Sequence, residues 1–164
     1  GDGKGKTKAS IGLCVRAQGA GKRVLFTQIL KGRDTAELEP LRRLGIEVRR
    51  TDPVKKFLSA MDERERGECY RSCRELFSLA ADALREGYYG LVVLDEVLDA
   101  VNAGILTEAE LCHALTARAQ AVEAVCTGRS PGESICAAAD YISEIQALRH
   151  PYTRGVAARP GIEY

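Results

Sequence analysis

No stretch of the sequence constrains the fold as strongly as the apolar run LVVL at residues 91–94. The run lies between Gly90 and Asp95 and has no polar face, so a strand formed by it has to be covered on both sides. Strands of this kind are typical of parallel sheets that carry helices on both faces. We therefore predict that residues 91–94 form a central, buried strand.

The rest of the chain alternates between strand-like and helix-like patterns. The longest helical pattern begins at Asp62, with Glu65 placed for a capping box, and ends at Gly87. Further strands are predicted at 24–30, 46–48, 121–127 and 141–145, and further helices at 9–17, 35–44 and 132–138 and from Val97 and Thr107. This alternation predicts an α/β fold with a mostly parallel sheet, in which a ligand binds beyond the carboxyl ends of the strands.

Residues 1–7, with the sequence GDGKGKT, lead directly into the first predicted helix. The backbone N–H groups of such a loop can surround phosphate oxygens, and the helix N-terminus adds positive partial charge. We expect Lys6 to neutralise phosphate and Thr7 to bind Mg²⁺ or Mn²⁺. The predicted nucleotide-binding residues of this segment are Gly1, Asp2, Gly3, Lys4, Gly5, Lys6, Thr7 and Lys8.

The loop is a variant of the usual Walker A motif. The usual first glycine would stand before residue 1 in this numbering. A phosphate loop also ordinarily follows a strand, so we expect that strand either in a preceding part of the protein or from elsewhere. Residues 19–22 (GAGK) repeat the motif superficially, but they precede a predicted strand and are interpreted as a helix stop.

Two acidic residues, Asp95 and Glu96, follow the central strand directly. Carboxylates at this position are the Walker B arrangement, which binds the metal ion of the phosphate loop. Arg129 follows the next predicted strand and is expected at the same sheet edge, either in contact with phosphate or as a solvated loop residue. Together with the loop, these residues predict a P-loop NTPase-like (RecA-like) fold with helices on both faces of the sheet.

Composition and charge argue against several classes of function. A net charge of +1 spread along 164 residues gives no basic patch for nucleic acid or an anionic membrane. With no apolar run of membrane-spanning length and no recognisable leader, we expect a cytoplasmic protein. The six cysteines form no CxxC pair and lie within apolar patterns, which favours buried, reduced thiols. We expect one domain over 1–164, with an irregular C-terminal tail at 147–164.

Several segments resemble the P-loop corrinoid adenosyltransferases, which make adenosylcobalamin from ATP and a reduced corrinoid. They are the loop at 1–7, QILKG at 28–32, VVLDE at 92–96, TGR at 127–129, HPY at 150–152 and GIEY at 161–164. The resemblance covers nearly the whole chain. The loop and the tail together are specific, because ordinary kinases and GTPases share only the Lys-Thr and Asp-Glu pieces.

The resemblance implies an unusual chemistry for a phosphate loop. Cobalt(I) of the corrinoid is the nucleophile, which attacks the 5′-carbon of ATP and displaces triphosphate, so no side chain acts as acid or base. Charge on the departing triphosphate would be stabilised by Lys6, by the loop N–H groups and by Mg²⁺. The Mg²⁺ ion would be held by Thr7, Asp95 and Glu96. The nucleotide would lie reversed across the loop. A homodimer and a reduced flavoprotein electron donor are also implied.

The sequence departs from the family pattern at two positions. Lys8 stands where the family usually has Thr, which adds a cation near the phosphates. The family also has Phe-x-Trp before the long helix, where the aromatic rings cover the lower corrin face and favour four-coordinate cobalt(II). Phe57 matches the Phe, but Ser59 replaces the Trp. Phe57 and Leu58 are the predicted corrinoid contacts, and either they suffice or displacement of the lower ligand is weak in this protein.

Two other functions are compatible with the same residues. One is a different P-loop phosphotransferase or ATPase, in which Glu96 orients water or a hydroxyl acceptor and the product is ADP. The other is a nucleotide-binding or corrinoid-binding module with little turnover, which the variant loop and the absent Trp favour. Release of triphosphate during adenosyl transfer would distinguish an adenosyltransferase from both of these alternatives.

Overall fold

The computed structural model describes residues 1–30, 35–52, 56 and 58–162, and its centre is a four-stranded parallel sheet. Phe26 lies opposite Val93 in this sheet, and Gln28 lies opposite Asp95. Every residue of the two inner strands is buried, which confirms the prediction for residues 91–94. The strands, in the spatial order β2-β1-β3-β4, are β1 (Val24–Gln28), β2 (Glu47–Arg50), β3 (Leu91–Asp95) and β4 (Glu123–Cys126).

Helices α2 to α5, whose bounds are given below, lie between successive strands, and local sequence signals fix several helix ends. The capping box predicted for the longest helix is present: Asp62 Oδ1 accepts from the Glu65 amide at 2.8 Å, and Glu65 Oε2 accepts from the Asp62 amide at 3.0 Å. Within the described ranges, no helix combines the length and apolarity needed to span a bilayer. The helices are α1 (Lys6–Gly19), α2 (Leu38–Arg43), α3 (Glu63–Glu86), α4 (Val97–Asn102), α5 (Glu108–Thr116) and α6 (Glu133–Ala137).

Helices cover both faces of the sheet, as the α/β prediction requires. On one face, α1 and α2 contribute Cys14, Ala17, Leu38 and Leu41 to an apolar layer with Val24, Phe26, Leu91 and Val93. On the other face, α3, α4 and α5 contribute most of the layer that contains Leu25, Val92 and Leu94. Because alternate residues of a strand point to opposite faces, β1 and β3 supply both layers at once.

Residues 141–145 do not form the strand that the sequence predicts. This segment is not part of the sheet, and its Tyr141 and Ile142 side chains are 94% and 62% exposed. A strand is stabilised by a neighbouring strand and by burial of one face, so β-favouring residues without either do not form one. The other predicted elements are present with shifted ends, and the predicted helix at 35–44 is reduced to α2.

All six cysteines are free thiols. Cys14, Cys69 and Cys73 are buried, whereas the other three are only half-buried, so the prediction of buried thiols is correct for part of the set. Burial raises the pKa of Cys14 and of Cys73 to about 12. These thiols therefore stay protonated at neutral pH and serve as small apolar side chains in the core.

Two leucines on α3 test how much the helix depends on its buried face. Leu84 is fully buried in the core, whereas Leu79 is 41% exposed. We expect Leu84→Ala to lower the free energy of unfolding by about 2–5 kcal/mol, because it removes core contacts and leaves a cavity. Leu79→Ala should cost less than about 1 kcal/mol. Urea unfolding of both variants measures the difference, and equal losses would contradict this description of the core.

Candidate active site

The loop at residues 1–5 ends where α1 begins, at Lys6. The Lys6 ammonium lies against this loop, because Nζ donates to the carbonyl oxygens of Gly1 at 2.9 Å and Gly3 at 3.0 Å. The first turn of α1 contains no acidic residue, so no acid of that turn offsets the positive end of the helix dipole. The loop can therefore offer backbone donors and positive charge to a phosphate group.

The segment around Ile145 packs directly against the loop. The Gly3 amide donates to the Ile145 carbonyl at 2.8 Å. A Cβ atom on Gly3 would lie only 2.5 Å from that carbonyl oxygen and 2.7 Å from the backbone carbon of Gln146. Only glycine fits this position, and the residues that the sequence assigned to a strand serve instead as a support for the loop.

Asp95, the last residue of β3, is fully buried at the carboxyl end of the sheet. Its Oδ2 accepts a hydrogen bond from Thr7 Oγ1 at 3.1 Å, and its Oδ1 accepts one from Thr127 Oγ1 at 2.7 Å. These bonds join the first turn of α1 to the ends of β3 and β4. Since a buried carboxylate is stable only when it is paired or hydrogen-bonded, both hydroxyls help to keep Asp95 in this place.

Glu96 turns the chain sharply between β3 and α4. Its backbone is left-handed, with a φ of 63°, and its amide donates to Thr127 Oγ1 at 2.9 Å. A positive φ is uncommon for residues other than glycine and often occurs where the surrounding structure enforces it for function. The turn leaves the Glu96 side chain half-buried on the wall of the cleft described below.

The oxygen atoms in this region fit a hard divalent cation. Thr7 provides a hydroxyl, and Asp95 and Glu96 provide carboxylates, which are the ligand types that Mg²⁺ prefers. In the part of the chain that the structure describes, no group of three or more His, Cys, Asp or Glu residues could hold a metal on its own. Mg²⁺ in phosphate sites is ordinarily bound by one or two carboxylates together with substrate phosphates and water.

Arg129 lies at the same sheet edge as the loop. Its guanidinium is 3.5 Å from Asp2 Oδ1 and 3.3 Å from Asp99 Oδ1. Gly128 makes this approach possible: its φ is 144°, and a Cβ atom there would lie 2.6 Å from Leu98 Cβ. Arg129 therefore lies between the loop and α4, with its side chain 56% exposed.

A cleft of about 610 Å³ lies above these residues, a volume suited to a small-molecule ligand. It brings together most of the predicted site, namely Asp2, Gly3, Lys4, Gly5, Lys6, Thr7, Lys8, Glu96 and Arg129. Gly1 contributes its carbonyl to the Lys6 contact, and Asp95 lies buried next to Thr7. The remaining wall consists of residues that sequence reasoning did not assign to nucleotide binding: Ile11, Thr35, Ala36, Glu37, His150, Gly161 and Ile162.

Of the predicted corrinoid contacts, Leu58 is not among the described residues that line the cleft. Leu58 is half-buried in a 3₁₀ turn, Leu58–Ala60, and packs against the core layer of α3. Ser59, which replaces the family Trp, is exposed on the same turn. Phe57 lies outside the described residues. The turn directly precedes the capped start of α3 and is separate from the residues that line the cleft.

Thr127 is a position next to the site whose contacts the sequence pattern did not reveal. It lies within the TGR segment, where only Arg129 was singled out, yet its hydroxyl binds both Asp95 and the Glu96 amide. A hydroxyl residue at the end of the predicted strand 121–127 was the available signal. Asp99 and Glu37 carried no such signal, because acids in exposed helical patterns are common.

The parallel sheet, the loop that opens α1 and the buried acid at the end of β3 define a P-loop NTPase-like protein. A family model for the ATP:corrinoid adenosyltransferases BtuR/CobO/CobP matches residues 1–164. The chain therefore belongs to the ATP:corrinoid adenosyltransferase family, and this membership identifies it as a transferase whose substrates are ATP and a corrinoid.

Curated relatives agree with the family match over the full length of the chain. The corrinoid adenosyltransferase of Escherichia coli K12 is 33% identical, with 100% of this chain and 82% of that protein aligned. The corrinoid adenosyltransferase CobA of Salmonella typhimurium is 32% identical over 100% of this chain and 82% of its own. The corrinoid adenosyltransferase of Pseudomonas aeruginosa is 31% identical, and 100% and 80% of the two chains are aligned.

The two hydrogen bonds of Thr127 can be removed almost without a change of shape. We expect Thr127→Val to lower the free energy of unfolding by about 1–3 kcal/mol, because it leaves the buried Asp95 oxygen without one donor and the Glu96 amide without its acceptor. Thr127→Ser keeps the hydroxyl and should recover most of that loss. Thermal or urea unfolding measures both variants. A Val variant as stable as the wild type would mean that these bonds do not hold the acid in place.

Proposed function

We propose that this protein transfers the 5′-deoxyadenosyl group of ATP to cobalt(I) of a corrinoid, releases triphosphate and so forms adenosylcobalamin. In this reaction a cobalt–carbon bond forms with an electron pair from cobalt(I), and the bond between the 5′-carbon and its phosphate oxygen breaks. The proposal rests on one observation: in a chain that belongs to this family, a single cleft is lined by Lys6, Thr7, Glu96 and Arg129.

Charge stabilisation is the main task that the proposed reaction sets. Negative charge builds on the departing triphosphate, and groups fixed beforehand at that point lower the barrier without reorganising. Lys6 is suited to this role because its ammonium already lies within the loop, next to the carbonyl oxygens of Gly1 and Gly3. The backbone N–H groups at the start of α1 would contribute to the same effect.

No side chain needs to act as an acid or a base, since the nucleophile is the cobalt atom of the substrate. The titratable residues of the cleft are then free for binding and positioning. His150 is an example: its Nδ1 accepts a hydrogen bond from the Tyr152 amide at 3.1 Å and caps a turn. We assign catalysis to the juxtaposition of cobalt and carbon together with charge stabilisation.

We propose that Thr7, Asp95 and Glu96 hold Mg²⁺ together with the phosphates of ATP. The hydrogen bond between Thr7 and Asp95 supports this assignment because it brings two oxygen ligands to the same point. When bound, the ion supplies positive charge that offsets the charge of the triphosphate. Arg129 would add to it, since its guanidinium lies at the cleft beside the loop residue Asp2.

For the corrinoid, we propose binding next to the 3₁₀ turn, with Phe57 and Leu58 as contacts. The family resemblance is the support for this proposal, because Leu58 is half-buried against the core and only part of it is available to a ligand. From the same resemblance we propose a homodimer and a reduced flavoprotein as the electron donor. A cytoplasmic location is proposed from the sequence pattern.

The first test replaces the loop lysine. Lys6→Ala should reduce the kcat/KM of adenosyl transfer by about 100-fold or more, because it removes a preorganised charge at the leaving group. The assay mixes the protein with ATP, Mg²⁺ and chemically reduced cob(I)alamin, and measures light-sensitive adenosylcobalamin and triphosphate. Lys22→Ala, an exposed lysine beyond the far end of α1, is the control and should leave the rate unchanged.

The products of this assay also separate the alternative functions. Equal amounts of adenosylcobalamin and triphosphate support the transferase. ADP without any change in the corrinoid spectrum would instead indicate a phosphotransferase or ATPase, and binding without a product would indicate a module with little turnover. Normal rates in the Lys6→Ala variant would refute the role assigned to that lysine.

A second test concerns the position where the family has Trp. We expect Ser59→Trp to speed the reaction when the substrate is supplied as cobalt(II) with a reductant, because an aromatic ring there would favour loss of the lower ligand. The rate with cobalt(I) prepared in advance should not change. Ser59→Leu is the matched control, since it adds an apolar side chain without a ring. An equal gain with both oxidation states would show that the ring acts on binding instead.

A further inference from the structure

Two hydrogen bonds fasten the C-terminal segment of the described chain to the loop at residues 1–5 and to the first turn of α1. The first joins the Ile145 carbonyl to the Gly3 amide at 2.8 Å. The second joins the Ile162 carbonyl to Lys8 Nζ at 2.5 Å. Between these points the chain contains one short 3₁₀ turn, Pro151–Arg154, which His150 caps. We call residues 145–162 the strap.

The strap crosses the cleft in which we propose that ATP binds. His150, Gly161 and Ile162 line that cleft together with the phosphate loop. Most strap residues are exposed, and no α-helix or β-strand lies within the strap. A segment with little buried area opens at a low cost in free energy, so each of its fastenings has a large effect on its position.

We propose that Lys8 is a positioning residue that holds the strap across the cleft and so closes the cleft over the nucleotide. This inference rests on the proposed function, because it concerns how that same site holds ATP. The Lys8 ammonium reaches the strap backbone, whereas the shorter threonine of the family pattern has no group that extends so far. Lys8 also lines the cleft, so its contact with the strap lies beside the nucleotide site.

The sequence alone suggests a different role for Lys8, as a direct ligand of phosphate. The two roles differ in whether the effect of Lys8 on ATP binding requires the end of the strap. A phosphate ligand would act on ATP whether or not the end of the strap is present. A positioning residue acts through Ile162, so its effect disappears when Ile162 is removed. This difference can be measured by combining the two changes.

The position of the strap can be measured without nucleotide. Trypsin cleaves after Arg154, an exposed strap residue, and mass spectrometry follows that single cleavage in the full chain. We expect Lys8→Thr to speed the cleavage about twofold to fivefold, the range expected for loss of one exposed charge-assisted hydrogen bond. Lys8→Arg should restore protection, and Lys22→Thr should have no effect. An unchanged rate in Lys8→Thr would overturn the proposal.

The second experiment measures the affinity for ATP in four proteins: the wild type, Lys8→Thr, a chain that ends at Pro160, and the combination. Under the proposal, Lys8→Thr weakens ATP binding about twofold to fivefold in the full chain and has no further effect in the shortened one. An equal loss in both backgrounds would overturn the proposal and assign Lys8 to the phosphates. Neither measurement includes adenosyl transfer, so a failure of the proposed function would be seen separately, in the product assay.

Discussion

The buried carboxylate of Asp95 is the point on which the site depends. It lies at the end of the central strand β3, where it accepts hydrogen bonds from Thr7 on α1 and Thr127 after β4. Burial of a carboxylate is costly unless donors surround it, so the positions of both threonines are tightly constrained. Because Thr7 follows Lys6 directly, the same constraint fixes where the phosphate loop meets the sheet.

The charges around this point form a preorganised set. Lys6 is hydrogen-bonded to loop carbonyls, and Arg129 lies near the carboxylates of Asp2 and Asp99. Groups that already occupy fixed positions can stabilise developing charge without further movement, which would suit the displacement proposed above. The strap adds a wall from the opposite end of the chain, so residues distant in sequence enclose one cleft.

The features that the sequence predicted well are those encoded locally. The apolar run of β3, the capping box of α3 and the start of α1 directly after the glycine-rich loop each depend on a few neighbouring residues. Contacts between distant residues were not predictable in this way: nothing local marks Ile145 as the partner of Gly3. The predicted strand at 141–145 was wrong for the same reason, since propensity describes the residues of a strand but not whether a neighbouring strand is available.

The two deeply buried thiols have a practical consequence for how the protein can be observed. Cys14 lies in the apolar layer on the α1 side of the sheet and Cys73 in the layer on the α3 side. With pKa values of about 12, neither presents a thiolate to an alkylating reagent while its layer is closed. Each thiol becomes reactive only when its own layer opens to water. Labelling the two cysteines over time would therefore report separately on the opening of each side of the sheet, through side chains that the protein already contains.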